Sequence, residues 1–274
     1  MTSRSSGGFP FLGNFMTLQK QDLNDLKKAK ALLENLGLAA KITNILGAPI
    51  EKGFSLLPDN WNLKIGEVTR TALSKAVQAA VLTMKSSPGE EASNIWHKLA
   101  VATTGGIGGL FGIPGLAIEL PISTTIMLRS IADIARSEDE NIHKIESKIA
   151  CIEVFALGGP SMSDDASESG YFAVRATLAQ SISKAAEYIT KRGLSEEGAP
   201  ALVRLIVQIA ERFSIQVSEK AAAQAVPAIG AAGGAIINTL FIDHFQDMAR
   251  GHFIVRRLER KYGKEIVKET YMSV

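Results

Sequence analysis

Residues 221–263 read AAAQAVPAIGAAGGAIINTLFIDHFQDMARGHFIVRRLERKYG. The first 22, Ala221 to Ile242, carry no charge and are rich in alanine and glycine. From about residue 234 the apolar positions follow a helical period, and the pattern predicts a helix to 262 that stops at Gly263. An earlier stretch has the same character: Leu99 to Ile118, LAVATTGGIGGLFGIPGLAI, is 20 residues without a charge. Glycines 106, 109, 112 and 115 recur every third residue, and Gly230 and Gly233 repeat the spacing. Small residues at helical spacing let a second backbone approach closely. Two readings stay open. The segments form a buried helical hairpin core, or they insert, fully or shallowly, in a bilayer, for which each is long enough. Pro114, Pro227 and the scarcity of leucine weigh against simple spanning.

Outward from these segments, the signals are helical throughout. Residues 17–40 place Leu18, Leu23, Leu26, Leu33 and Leu36 near one face. A loop with Pro49, Gly53, Pro58 and Asn60 follows. Residues 61–85 predict a helix with Val68, Leu73, Val77, Val81 and Met84 inward. Ser87-Pro88-Gly89-Glu90 is a helix start, with Ser87 as cap and Glu90 closing a capping box. Further helices are predicted over 139–157, ending at Gly158-Gly159-Pro160, over 171–192, and from Ser195 towards Pro227. Residues 161–169 read as a polar loop. No run alternates apolar and polar, so the expected fold is all-α. It is a single compact multi-helix bundle with the two glycine-rich segments in a pseudo-repeat. The expected organisation is an N-terminal loop and amphipathic helix (1–60) packing on the core, a helical domain (61–265) and a C-terminal tail (266–274).

The pseudo-repeat rests on an echo. Each glycine-rich segment precedes a helix with Asp-x-Ala-Arg: Asp133 to Arg136, and Asp247 to Arg250. An acid marks each junction, Glu119 and Asp243. Residues three apart share a helix face, and Arg129 lies four before Asp133. Charges in apolar surroundings need partners. The expectation is therefore that Asp247 and Arg250 are buried and engage the first hairpin near Glu119, Arg129 or Asp133. The candidate polar site comprises Glu119, Arg129, Asp133, Arg136, Asp243, His244, Asp247, Arg250 and His252. Structural pairing between helices and a functional site both fit that set. His244 and His252 lie about 80° apart around an ideal helix, so one helix does not aim both at one ion. No Glu-x-x-His or His-x-x-x-His pair occurs, and no metal or other cofactor is expected.

Composition narrows the classes. The apolar fraction is 46% and the net charge +2, which favours no particular partner. From Arg250 to Lys268 seven Lys or Arg stand against Glu259 and Glu265. That basic helix is either a solvated end or a contact for an anionic membrane or acidic partner. Cys151 is the single cysteine, in the apolar run IACIEVFAL, so no intramolecular disulfide forms. The N-terminus does not read as a secretory signal, and a cytoplasmic location is expected. No phosphate-binding glycine loop, nucleophile elbow or nucleic-acid motif appears.

Three blocks carry a family resemblance: ELPISTTIMLRSIADIARSE (119–138), ESGYFAVRATLA (168–179) and GAAGGAIINTLFIDHFQDMARGHFIVRRLERKYG (230–263). They resemble the EcsC protein family, named after a bacterial protein encoded beside an ABC transporter. The resemblance covers roughly residues 60–265. It implies a cytoplasmic or membrane-peripheral setting, and supplies no reaction and no catalytic residues. The first functional expectation is a non-enzymatic accessory protein on the cytoplasmic membrane face or on a transporter-like complex, peripheral on the inner membrane. The alternative is a hydrolase- or lyase-like enzyme using the polar site between the hairpins. An open pocket lined by those residues would favour the enzyme.

Overall fold

The chain folds into α1 (Lys20–Leu33), α2 (Leu38–Leu46), α3 (Glu51–Phe54), α4 (Trp61–Thr83), α5 (Gly112–Ser137), α6 (Ile145–Glu153), a 3-10 turn (Val154–Ala156), α7 (Gly170–Arg192), α8 (Pro200–Ala225), α9 (Gly230–Tyr262) and α10 (Lys264–Ser273). This computed structural model describes residues 18–35, 37–47, 50–83, 112–159, 170–192, 200–226 and 230–274. Among the described residues there is no strand, and the helices pack compactly, as the all-α expectation requires.

α9 is the axis. Gly251, His252, Phe253, Ile254 and Val255 are all buried. Five consecutive buried residues leave a helix no solvent face, so α9 must be surrounded there. α1 lies antiparallel to it, with Asp22 paired to Lys261, Asp25 to Arg257, and Leu33 against Gly251. α8 is also antiparallel, with Phe213 beside Phe245 and Lys220 beside Phe241. α5 runs parallel, with Ser130 bonded to Gln246 and Glu138 to Arg257. Phe155, Phe213, Phe241 and Phe245 form the aromatic centre, with ring centroids 4.9–6.0 Å apart. Offset and edge-on contacts of this kind are the favoured aromatic geometry.

Several boundaries differ from expectation. The 17–40 helix breaks after Leu33 and restarts at Leu38 as α2. Leu26, Leu33 and Leu38 are still buried, so the face survives the break. The loop around Gly53 contains α3, and Gly53 is required there. A Cβ would fall on the Ala222 carbonyl of α8. The helix expected from 139 begins at Ile145, because Glu140 turns inward and bonds Ser147, Arg256 and Arg260. The segment after Gly263 is a helix, α10, rather than a tail. It buries Val267 and Tyr271, and Tyr271 sits 5.1 Å from Phe172. The start signal at Ser87–Glu90, residues 99–111 of the first glycine-rich segment, Pro227 and the loop 161–169 lie outside the described residues. So do Met84, Gly193 and Ser195, and the side chain of Val81.

Candidate functional site

The nine residues singled out from the sequence do not assemble into one site. α5 and α9 do lie side by side, with Ser130 opposite Gln246, but their Asp-x-Ala-Arg tetrads face outward. Arg136 pairs with Asp133 and Arg250 with Asp247, each within its own helix. Arg250 is 44% exposed. Asp247 also reaches Lys41 of α2 at 3.3 Å, not the first hairpin. The expected burial of Asp247 and Arg250 is thus overturned. Surface Asp–Arg neighbours satisfy one another locally and need no partner across the core. Asp243 is exposed and Arg129 half-buried.

Glu119 is the exception. Its carboxylate holds Lys220 of α8 at 2.7 Å, and the lysine side chain is fully buried. His244 is buried against Gly158, with neither ring nitrogen hydrogen-bonded in good geometry. Burial depresses it to about 4, so the ring is neutral.

His252 belongs to a cluster that charge patterning did not expose. Arg175 forks onto Glu259, Nη1 to Oε1 at 2.7 Å and Nη2 to Oε2 at 2.9 Å. Arg175 also donates to the Tyr171 hydroxyl at 3.2 Å, and that oxygen is 3.1 Å from His252 Nδ1. His252 Nε2 is 3.8 Å from Glu153. The Tyr171 hydroxyl accepts from Arg175 and stands within hydrogen-bond distance of His252 Nδ1, while His252 Nε2 is buried with no hydrogen-bond partner among the described residues. Burial drives His252 well below the ordinary histidine range and raises Glu153 above its ordinary value. Glu153, Arg175, Arg256 and Glu259 line a cleft of about 700 Å³ between α6, α7, α9 and α10. None of the nine sequence candidates lines it. The signals that could have found the cluster are Glu153 inside an apolar run and Tyr171 four residues before Arg175.

The basic stretch of α9 is neutralised internally. Arg256 and Arg260 hold Glu140, Arg257 holds Asp25 and Glu138, and Lys261 holds Asp22. Hydrogen bonds from Lys261 and Tyr262 keep Asp22 below the usual carboxylate range. Burial opposes the charge on Glu140, but bonds from Arg256 and Ser147 prevail and lower it too. Among the described residues no group of three or more His, Cys, Asp or Glu is placed to hold a metal.

A helical bundle on a central buried helix, with a buried ion-pair cluster at one end, defines the class. The model of the EcsC protein family matches residues 20–258, and the chain belongs to that family. The match takes in α1, α2 and α3, which the sequence resemblance had left out. No curated protein and no solved structure matches the chain.

Proposed function

We propose that this protein is a non-enzymatic accessory protein that attaches to the cytoplasmic membrane face through the glycine-rich end of its bundle. One observation carries the reading: exposed large apolar side chains gather at that end. The end is located by contacts. Glu119 meets Lys220, Lys220 meets Phe241, Gly53 touches Ala222, and Phe54 packs at a tilt against Trp61. Ile118, Ile236, Leu56 and Leu63 lie within a few residues of these points. Their exposure runs from 42% at Ile236 to 79% at Leu63. Elsewhere among the described residues Ile45, Val203 and Met272 are comparable. Helix α5 begins at Gly112, seven residues before Glu119.

Burying such side chains in the interfacial region gains about 1.5–3 kcal/mol for each one fully covered. Partial cover of these four supports reversible attachment. The local charges show no basic excess, Lys52 and Lys64 against Glu51, Asp59 and Glu67, so apolar contact carries the attachment rather than anionic lipid. Gly115–Ser137 is long and apolar enough to cross a membrane, but half of that stretch is buried in the bundle, which supports surface contact over spanning. The catalytic alternative has less support, since none of the nine candidates lines either described cleft. Flotation with phosphatidylcholine vesicles, alone and with added phosphatidylglycerol, tests the proposal. Co-flotation with both, little changed by salt, is expected. A protein left at the bottom of both gradients removes the lipid reading in favour of a membrane-protein partner.

A further inference from the structure

Two neighbouring residues of α8 carry opposite charges into different surroundings. Lys220 is matched by Glu119. Glu219 faces α2, where its carboxylate accepts from the Ala39 N–H in the first turn. Among the described residues no cation pairs with it; the nearby Lys41 is held by Asp247 at 3.3 Å. Glu219 lines a cleft of about 470 Å³ with Tyr171, Val174, Met248, Gly158 and Gly159. That is the volume of a small-molecule site. Its charged lining residues are Glu219 and Glu34, both acids.

Asn35 and Tyr171 are the neutral polar side chains of the lining, and no lysine or arginine belongs to it. Directly behind the glycine pair, the buried Gln216 has Nε2 bonded to the Leu157 carbonyl at 3.1 Å and Oε1 unpaired. His244, behind Gly158, is buried and has no well-formed hydrogen bond at either nitrogen. A half-buried carboxylate with apolar walls and no counter-charge is an arrangement that a cation completes.

We propose that this cleft binds a small organic ammonium ion, with Glu219 as its counter-ion and its apolar part against Tyr171, Val174 and Met248. Without a cation, the proton takes its place: burial pushes Glu219 up to about 7. Lipid amine headgroups and free amines share the required chemistry. Glu219 lies one turn from Ala222, at the apolar end of the bundle, so either source has access. The free-amine form of the inference does not rest on membrane attachment.

The test is calorimetric titration of the full-length protein at about pH 8, where Glu219 is largely ionised. The probes are ethanolamine hydrochloride, choline chloride and putrescine dihydrochloride, with ethylene glycol and sodium acetate as controls. At least one ammonium probe is expected to bind, with the controls at least about tenfold weaker, a difference of about 1.4 kcal/mol. Glu219→Gln should lose at least that factor. Ala40→Leu, which narrows the cleft and keeps the carboxylate, should lose binding too and covers the case in which Glu219→Gln misfolds. Glu187→Gln, on an exposed face of α7, should bind as the wild type does. Competition by free ethanolamine against phosphatidylethanolamine vesicles would assign the lipid source; vesicle binding indifferent to it would assign a free amine. No heat with any ammonium probe at about 10 mM, tenfold above a millimolar Kd, or equal binding by wild type and both cleft variants, would overturn the proposal.

Discussion

Lys220 and Glu119 join α8 to α5 by an ion pair of 2.7 Å, with the lysine side chain 1% exposed and the glutamate 16%. The same ammonium lies 4.6 Å from the centroid of Phe241 on α9. Three helices are thus tied at the glycine-rich end by one cation. Glu119→Gln leaves a buried lysine without its counter-charge and should cost about 3–5 kcal/mol in urea denaturation. Lys220→Met leaves a carboxylate that reaches water and should cost less. The double variant should lie near Lys220→Met alone, so that the coupling equals the Glu119→Gln loss of about 3–5 kcal/mol. Additive losses would show that the two charges do not act as a pair.

Gly158 ends the 3-10 turn after α6 with φ +75°, and a Cβ there would stand 2.5 Å from His244 Nε2 and 2.8 Å from the Met248 sulfur. Gly158→Ala should destabilise by about 2–4 kcal/mol, combining left-handed strain with overpacking. Against the His244→Ala background the same substitution should cost less, since the imidazole clash is gone and the Met248 contact and the strain of about 1–2 kcal/mol remain. Equal stability of Gly158→Ala and wild type would mean that the turn relaxes freely.

Stability should vary with pH in two opposing windows. His244 falls from 6.5 to about 4 in the folded state. The unfolded chain therefore takes up the proton first, and stability is lost as pH falls from 6.5 through 4. Glu219 rises from 4.5 to about 7. The folded state there holds the proton more tightly, so stability is lost as pH rises from 4.5 through 7. Glu219→Gln should remove the second loss, gaining roughly 1–3 kcal/mol at about pH 8 and little at about pH 4.5. Urea midpoints at several pH values check this. A constant offset between variant and wild type would contradict it.

The pairs on α9 set a further expectation. Arg257 joins Asp25 of α1 and Glu138 after α5. Arg257→Glu should lower stability by about 2 kcal/mol or more through like-charge contact in a partly buried network. It should leave vesicle flotation unchanged. Lost flotation in a folded variant would return the membrane contact to the basic helix.

The same helix shows what the sequence could and could not convey. Its course, Gly263 stop and buried histidines follow from spacing and apolar period, which are local. Its arginines look like a basic face because Asp22, Asp25, Glu138 and Glu140, which neutralise them, lie more than 110 residues away in the chain. The tetrads mislead for the converse reason. Asp133–Arg136 and Asp247–Arg250 pair within a turn, and sequence order alone cannot tell which way a helix face points. Glu153, Arg175 and Glu259 come from three helices, so only the fold brings them to one cleft.

Site-specific fluorescence tests the membrane account most directly. Leu63→Cys, Ile118→Cys, Ile236→Cys and, at a distant exposed site, Val203→Cys would each carry an environment-sensitive dye. The natural Cys151 is buried, with its thiol pushed up to about 12, so labelling goes to the introduced cysteine. On addition of phosphatidylcholine vesicles, the account predicts a blue shift and loss of aqueous quencher access at 63, 118 and 236, and none at 203. Vesicle-bound protein with unchanged spectra at the first three positions, or an equal shift at 203, would contradict it.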